Sequence, residues 1–534
     1  MDNLLILSGD GKEVKGIRDK SVTHLSIPNG VTRIGNKVFE SCISLQNIEI
    51  PNGVNVIGWE AFKACKSLKN IILPNSLNKI GEGAFRDCTS LETIYLPPSV
   101  EHVGWYAFQG CTSLHNVNLP NSLMAICGFA FYNCTSLESI DIPSSVTTIG
   151  ENAFCKCSSL TSVDIPNSVT KIDGGAFKDC ISLKSIDIPS SVTSIVDFAF
   201  FGCSSLKSIN IPYSVNYIRN FVFKGCTSLE SIHIPFTVTR IGMGAFEGCT
   251  SLWSINIPDV RVIDTGAFSG CTSLENVYLD RIGEISGFTF DGCSALKEIK
   301  IPNLIGKLGK IGRCAFRNTS LQSLIIPPFV FDIEEHAFCN CPISNINVDV
   351  DNPIYYSKDD VLYQKYEDDK SILVKYAPKK KDVCFCVDQN IKMIDSHAFE
   401  GAKELEKIIL HDNLLSIGKL QTFAGCTSLQ EIVLPPQISV VPKEVFLNCI
   451  SLKEVVLPDS DSYTIEASVF NNCESLKIIH SKVQEIEKIV VDEKAFDGFD
   501  IDECTLFVPS GTRWAYRHHP GFGKFKNIEI ERKD

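Results

Sequence analysis

Apolar and polar positions along this chain repeat with a period longer than that of a strand or a helix. Asn52–Pro74 reads NGVNVIGWEAFKACKSLKNIILP, and close copies stand at Asn75–Pro97, Ser144–Pro166 and Asn167–Pro189. The phenylalanine of an Ala-Phe pair sets the phase. It falls at Phe39, Phe62, Phe85, Phe108, Phe131, Phe154, Phe177, Phe200, Phe223 and Phe246, each 23 residues after the last. Spacings of 22, 22, 26 and 22 lead on to Phe268, Phe290, Phe316 and Phe338. After a gap of 61 residues the series resumes at Phe399, Phe423, Phe446, Phe470 and Phe496, making 19 copies. Prolines, leucines and cysteines keep the same step, as at Pro51, Pro74 and Pro97 or Cys42, Cys65 and Cys88. Several residue types locked to one period mark a stacked-repeat architecture.

Within a unit, Leu68-x-x-Ile71-x-Leu73-Pro74 alternates as a half-buried strand does, and proline ends it for want of an N–H. Asn75-Ser76 reads as a turn. Leu77-x-x-Ile80-Gly81 predicts a second short extended piece. Ala84, Phe85 and Cys88, spaced i, i+1 and i+4, predict a single helical or 3₁₀ turn. One such unit cannot bury its own apolar face, so neighbours must stack. The prediction is a mostly β repeat solenoid of ~23-residue coils. Parallel strands line one face, with short strands, turns or 3₁₀ pieces on the other, wound right-handedly.

The string L-x-x-I-x-I-P-x-x-V-x-x-I-G-x-x-A-F-x-x-C-x-S resembles the BspA-like class of leucine-rich repeat, over about residues 22–508. The resemblance implies that the phased Leu, Ile, Val, Phe and Cys are core positions. It supplies no catalytic residue. It also implies a surface or secreted adhesin-like role towards a protein or a cell-surface polymer.

Five segments follow from the pattern: a cap with the first strand (1–27), repeats (28–348), a β-hairpin insertion (349–390), repeats (391–505) and a C-terminal cap (506–534). Irregularities stand at Asp280, where proline is expected, at the lengthened turn from Asn303 to Lys310, and at Thr319, which replaces a phased cysteine. In the insertion, Val361–Tyr366 and Ser371–Tyr376 are β-prone runs around the polar turn Glu367-Asp-Asp-Lys. They predict a hairpin standing off the solenoid, with exposed tyrosines and Lys379-Lys380-Lys381. It reads either as a spacer or as a ligand-contact element. In the C-terminal cap, Thr505–Pro509 predicts a last strand, and Ser510 an N-cap for a short helix through Tyr516.

The net charge of −13 argues against sequence-independent nucleic-acid binding, which needs lysine and arginine against phosphate. No run of 18 apolar residues is present, so no membrane span is predicted. The N-terminus, with Asp2 and a short apolar run, does not read as a signal peptide. That favours a cytoplasmic location, the alternative to the cell surface. Sixteen of the 23 cysteines share one phase. Stacked side chains point the same way, so their Cβ atoms stay near ~5 Å, beyond disulfide range. They are expected to be buried free thiols. The pairs Cys155/Cys157, Cys339/Cys341 and Cys384/Cys386 lack a second pair at zinc-site spacing, and His518-His519 lacks further ligands, so neither a metal nor a cofactor is expected.

Exposed strand positions in such a coil form a continuous surface. There Asp141, Asp164 and Asp187 should stack in one column at ~5 Å, repelling by roughly 0.8 kcal/mol per pair in water. A cationic group would relieve this, and plain solvation would tolerate it. Tyr95, His233, Trp253 and Tyr278 lie beside or in that column, and exposed aromatics are common interface anchors. Trp253 stands where other units carry Lys, Glu, Gln or Thr. The phased serines read as turn residues, and no nucleophile–histidine–carboxylate set is suggested. The expected function is a non-enzymatic binding protein, with an intracellular scaffold or regulator as the alternative.

Overall fold

The structure is a computed structural model that describes residues 4–279, 282–299, 309–366 and 370–531. The irregularity at Asp280, most of the lengthened turn (303–308) and the turn residues 367–369 lie outside them.

Each coil gives two short parallel strands. One precedes the proline: Ser139–Asp141 pairs with Ser162–Asp164, and that with Ser185–Asp187. Its alternation is the expected one, with Ile140 buried between exposed Ser139 and Asp141. The other ends at the isoleucine of Ile-Gly: Val56–Ile57 pairs with Lys79–Ile80, and that with His102–Val103. The registers join residues one period apart, so like side chains stack on like. Phased phenylalanines form a buried ladder with ring centroids 5.0–5.8 Å apart from Phe39 to Phe268. Burying each ring stabilises the fold by about 1.5–3 kcal/mol, and stacking adds roughly 0.5–1.5.

The Ala-Phe-x-x-Cys segment is a turn rather than a piece of helix. An i→i+3 bond closes it, as from Cys65 N–H to Phe62 O at 3.2 Å. The residues two before and two after the phenylalanine, however, are left-handed: Glu60 and Ala64 have φ of 50° and 58°, Asn152 and Lys156 of 51° and 63°. Two left-handed residues bracketing three others stop helix propagation. They also turn the backbone amides towards the next coil, where Phe62 N–H donates to Ala84 O at 2.7 Å.

All 23 cysteines are free. From Cys65 on, the phased thiols donate to the phenylalanine carbonyl of the preceding coil, at 3.0–3.2 Å. A cysteine here is thus a small apolar group that also satisfies a carbonyl. The turn serines bridge neighbouring coils in a similar way, with Ser168 Oγ donating to Val146 O at 2.6 Å and Ser191 Oγ to Val169 O at 2.7 Å.

The chain forms two compact units, 1–282 with 292–295, and 283–291 with 296–534. The first begins with an antiparallel hairpin, Leu5–Leu7 with Glu13–Ile17, whose second strand pairs in parallel with Arg33–Ile34. This covers the edge of the sheet that would otherwise be open.

In the second unit, the insertion forms the hairpin Val361–Tyr366 with Lys370–Tyr376, preceded by Tyr355–Lys358. The hairpin does not stand off the solenoid. Lys370–Tyr376 pairs in parallel with Ile391–Ile394, and Tyr355, Tyr363 and Tyr376 are buried. Tyr376, 23 residues before Phe399, stacks on it at 5.3 Å. Its N–H donates to Ala398 O at 2.8 Å, as Phe62 does to Ala84. It is the ladder residue of a coil whose Ala-Phe pair reads Lys375-Tyr376. Nor is the lysine run unpaired, since Lys380 contacts Asp382 at 2.8 Å and Lys381 contacts Glu404 at 3.6 Å.

At the C-terminus, Thr505–Val508 pairs in parallel with Asn527–Ile530. The helix is Arg513–His518 with Thr512 at its N-cap, so Ser510 is not the capping residue. Among the described residues no helix is long and apolar enough to cross a membrane.

Candidate functional site

The strand face of the first unit gathers most of the expected residues into one column. Asp141, Asp164 and Asp187 are consecutive register partners. Asn210 follows, its amide locked on Ile188 by two 3.1 Å bonds. His233, Asn256 and Tyr278 continue the register. Tyr95 sits opposite Asn118 on earlier coils, away from the other aromatics. Trp253 belongs to a neighbouring column: its carbonyl accepts from Glu275 N–H at 3.0 Å and its N–H donates to Glu230 O at 3.3 Å. The three aspartates and Trp253 are therefore on different coils and in different columns, and the face has an acidic stretch and an aromatic stretch.

The aromatic stretch is larger than the strand positions alone suggest. Tyr213 and Phe236 are 60% and 64% exposed. They occupy the first turn position after proline, which holds Asn121, Ser144, Asn167 and Ser190 in earlier coils. The Tyr213 ring lies 5.4 Å from Phe236 and 6.5 Å from His233. With Trp253 (52% exposed) and Tyr278 (53%), they put aromatic surface on four consecutive coils. Sequence reasoning confined to strand positions missed Tyr213 and Phe236. Their departure from the Asn/Ser consensus of the turn was the available signal.

Chemically, this face offers apolar and π surface edged by charge: Lys184 and Lys207 precede Glu230 in the Trp253 column. The histidines of the C-terminal cap face apart, His518 towards Trp514 O at 2.8 Å and His519 towards Ile489 O at 3.0 Å. Among the described residues one set of side chains lies close enough to share a metal ion, His336, Cys339 and His397 in the second unit. Of the three, the sequence draws attention only to Cys339, in the Cys339/Cys341 pair, and not to the histidines as its companions.

Residues 17–346 and 385–506 match, in overlapping segments, the family described as BspA type leucine rich repeat region. No curated protein matches. A leucine-rich repeat protein from Bacteroides ovatus is 32% identical over 55% of this chain and 84% of its own, with a TM-score of 0.45. A leucine rich cell surface protein from Faecalibacterium prausnitzii is 26% identical over 74% and 88%, with a TM-score of 0.48. The pneumococcal vaccine antigen PcpA is 22% identical over 74% and 89%, with a TM-score of 0.38.

Proposed function

The chain belongs to the BspA-type leucine-rich repeat family, and from that premise we propose a non-enzymatic protein that docks a protein partner on the aromatic end of its strand face. The observation that carries this reading is the run of Tyr213, Phe236, Trp253 and Tyr278 on four consecutive coils, each more than half exposed. Large aromatic side chains left in water on a rigid sheet are the usual anchors of an interface. The aspartate column serves as a charged flank that steers a basic surface and contributes little to affinity. A location on the cell surface or outside the cell goes with this reading.

The test is binding of the intact protein to a panel of immobilised extracellular-matrix proteins. Trp253→Ala, or Tyr213→Ala with Phe236→Ala, should weaken whatever binding occurs by about 30-fold or more, the effect of losing ~2 kcal/mol at a hot spot. Asp164→Asn should change the salt dependence and leave affinity within a few-fold. Retention of full affinity by the aromatic variants rejects the site, and no binding by the unaltered protein rejects the adhesin role.

The free thiols favour a second reading, an intracellular scaffold. Cys384 and Cys386 are exposed and unpaired, a state kept in a reducing compartment. Alkylation of the protein in its native setting separates the two readings. Rapid labelling of both cysteines supports the intracellular one, and blocked cysteines support the extracellular one.

A further inference from the structure

We propose that His336, Cys339 and His397 form a zinc-binding site, built where the insertion shortens one corner of the solenoid. In an ordinary coil of this unit, the ladder phenylalanine stands five positions after the isoleucine at the strand end, as Phe399 does after Ile394. In the Tyr376 coil the residue paired with Ile394 is Leu373, only three before Tyr376. The corner is two residues short, and the space it leaves is occupied from both sides.

From the preceding coil come His336 and Cys339, and from the following coil His397 and Glu400. Each pair stands at the same two positions of its repeat, reading His-Ala-Phe-Cys and His-Ala-Phe-Glu. Both histidines are left-handed corner residues, with φ of 63° and 57°. Their rings meet edge to face with centroids 4.6 Å apart.

The ligand atoms of His336, Cys339 and His397 all lie within 4.8 Å of one another. The edges of a zinc tetrahedron with two imidazoles and a thiolate are about 3.3–3.6 Å, so rotation about the side-chain torsions by roughly 1 Å of travel closes the set. Nδ1 of His336 is buried without a hydrogen-bond partner, and Glu400 Oε2 stands 3.2 Å from Nδ1 of His397. An orphaned imidazole nitrogen is costly in a buried corner, and a cation is the partner that the chemistry of this donor set selects. Two imidazoles and one thiolate suit zinc over calcium or magnesium.

The surroundings agree. Glu400 accepts the Asn340 N–H at 3.0 Å and stands where carboxylates orient metal-bound histidines. The cavity here, about 20 Å³ and lined also by Lys375 and Asp395, has room for one water-sized body such as the ion itself. Lys375, 4% exposed, donates to His397 O at 2.8 Å. Zinc, thiolate, Glu400 and Lys375 together leave a charge of about +1, which Asp395 offsets. Cys341 is not a ligand, because its thiol donates to Phe316 O at 3.0 Å in the core ladder.

The experiment is titration of the full-length, chelator-treated protein with Co²⁺, followed by competition with Zn²⁺. The expected result is one Co²⁺ per chain with a thiolate-to-cobalt charge-transfer band that Zn²⁺ displaces. Cys339→Ser should abolish the band. His336→Gln, at the rim of the site, should weaken binding 100-fold or more, and Glu400→Gln by 10–100-fold. Cys384→Ser with Cys386→Ser should change neither band nor affinity. Far-UV circular dichroism establishes that each variant is folded. Should Cys339→Ser fail to fold, the His336→Gln and Cys384/Cys386 variants decide. No band in the unaltered protein, a band that survives Cys339→Ser or His336→Gln, or one lost with Cys384 and Cys386 overturns the proposal.

Discussion

Phe154 lies between Phe131 and Phe177, with centroids 5.5 and 5.4 Å away, and has no exposed surface. Phe154→Ala should cost about 3–5 kcal/mol, because the stacked rings on either side cannot collapse into the gap. Its carbonyl accepts from Cys180 Sγ at 3.1 Å and from Cys157 N–H at 3.1 Å. Cys180→Ala should therefore cost only about 1 kcal/mol, since one of the two bonds survives. Urea unfolding of the two variants tests the ranking, and equal losses would mean that the thiol carries more than a weak bond. The burial of these residues was legible from their phase alone. The carbonyl partner of the thiols was not, because nothing in the spacing distinguishes a donor from a filler. The aromatic patch was half legible: Trp253 broke a consensus on a strand edge, whereas Tyr213 and Phe236 broke one in a turn.

For the coil as an element, the sequence spacing of Ala84, Phe85 and Cys88 fits a helical turn and the observed left-handed turn equally well. Propensity does not separate them, because Glu60, Tyr106, Phe129 and Asn152 all occupy the same left-handed position with little in common. The Tyr376 coil escaped notice for a different reason. Its alanine is replaced by Lys375, its phenylalanine by tyrosine, and its corner is two residues short, so the motif disappears while the stacking persists. The hairpin runs were legible from their β-branched and aromatic content, but their docking into the wall depends on that hidden coil. If Tyr376 belongs to the ladder, Tyr376→Ala should destabilise the second unit by about 3–5 kcal/mol and open 361–376 to proteolysis. A free-standing spacer would tolerate the change with less than about 0.5 kcal/mol. Unfolding curves and limited digestion together read the difference.

Taken as a whole molecule, a core lined with thiols makes the protein sensitive to alkali. Burial pushes Cys226, Cys271, Cys426 and Cys473 up to about 12 from a starting value of 9.0. Below pH 9 the thiols are protonated whether the chain is folded or not, and stability is intact. Above it the unfolded chain sheds protons that the native core retains, so stability falls as pH rises towards 12. Each such thiol takes about 1.4 kcal/mol per pH unit. The expected outcome is cooperative unfolding within roughly two pH units above 9, at constant temperature and followed by circular dichroism. Below that range, only Cys384 and Cys386, the exposed pair, should react quickly with a thiol reagent. A protein that stays folded at pH 11 would contradict the buried ladder. The equivalence of the coils also bears on inheritance. Excision of Ser144–Pro166 would bring Phe131 onto Phe177, Cys134 onto Cys180 and Asp141 onto Asp187, the same residue types in the same phase. In-frame gain or loss of whole units is thus nearly neutral across the regular block, and copy number is free to drift there. Between His336 and Glu400 no unit is interchangeable with its neighbour, and that stretch can be inherited only whole.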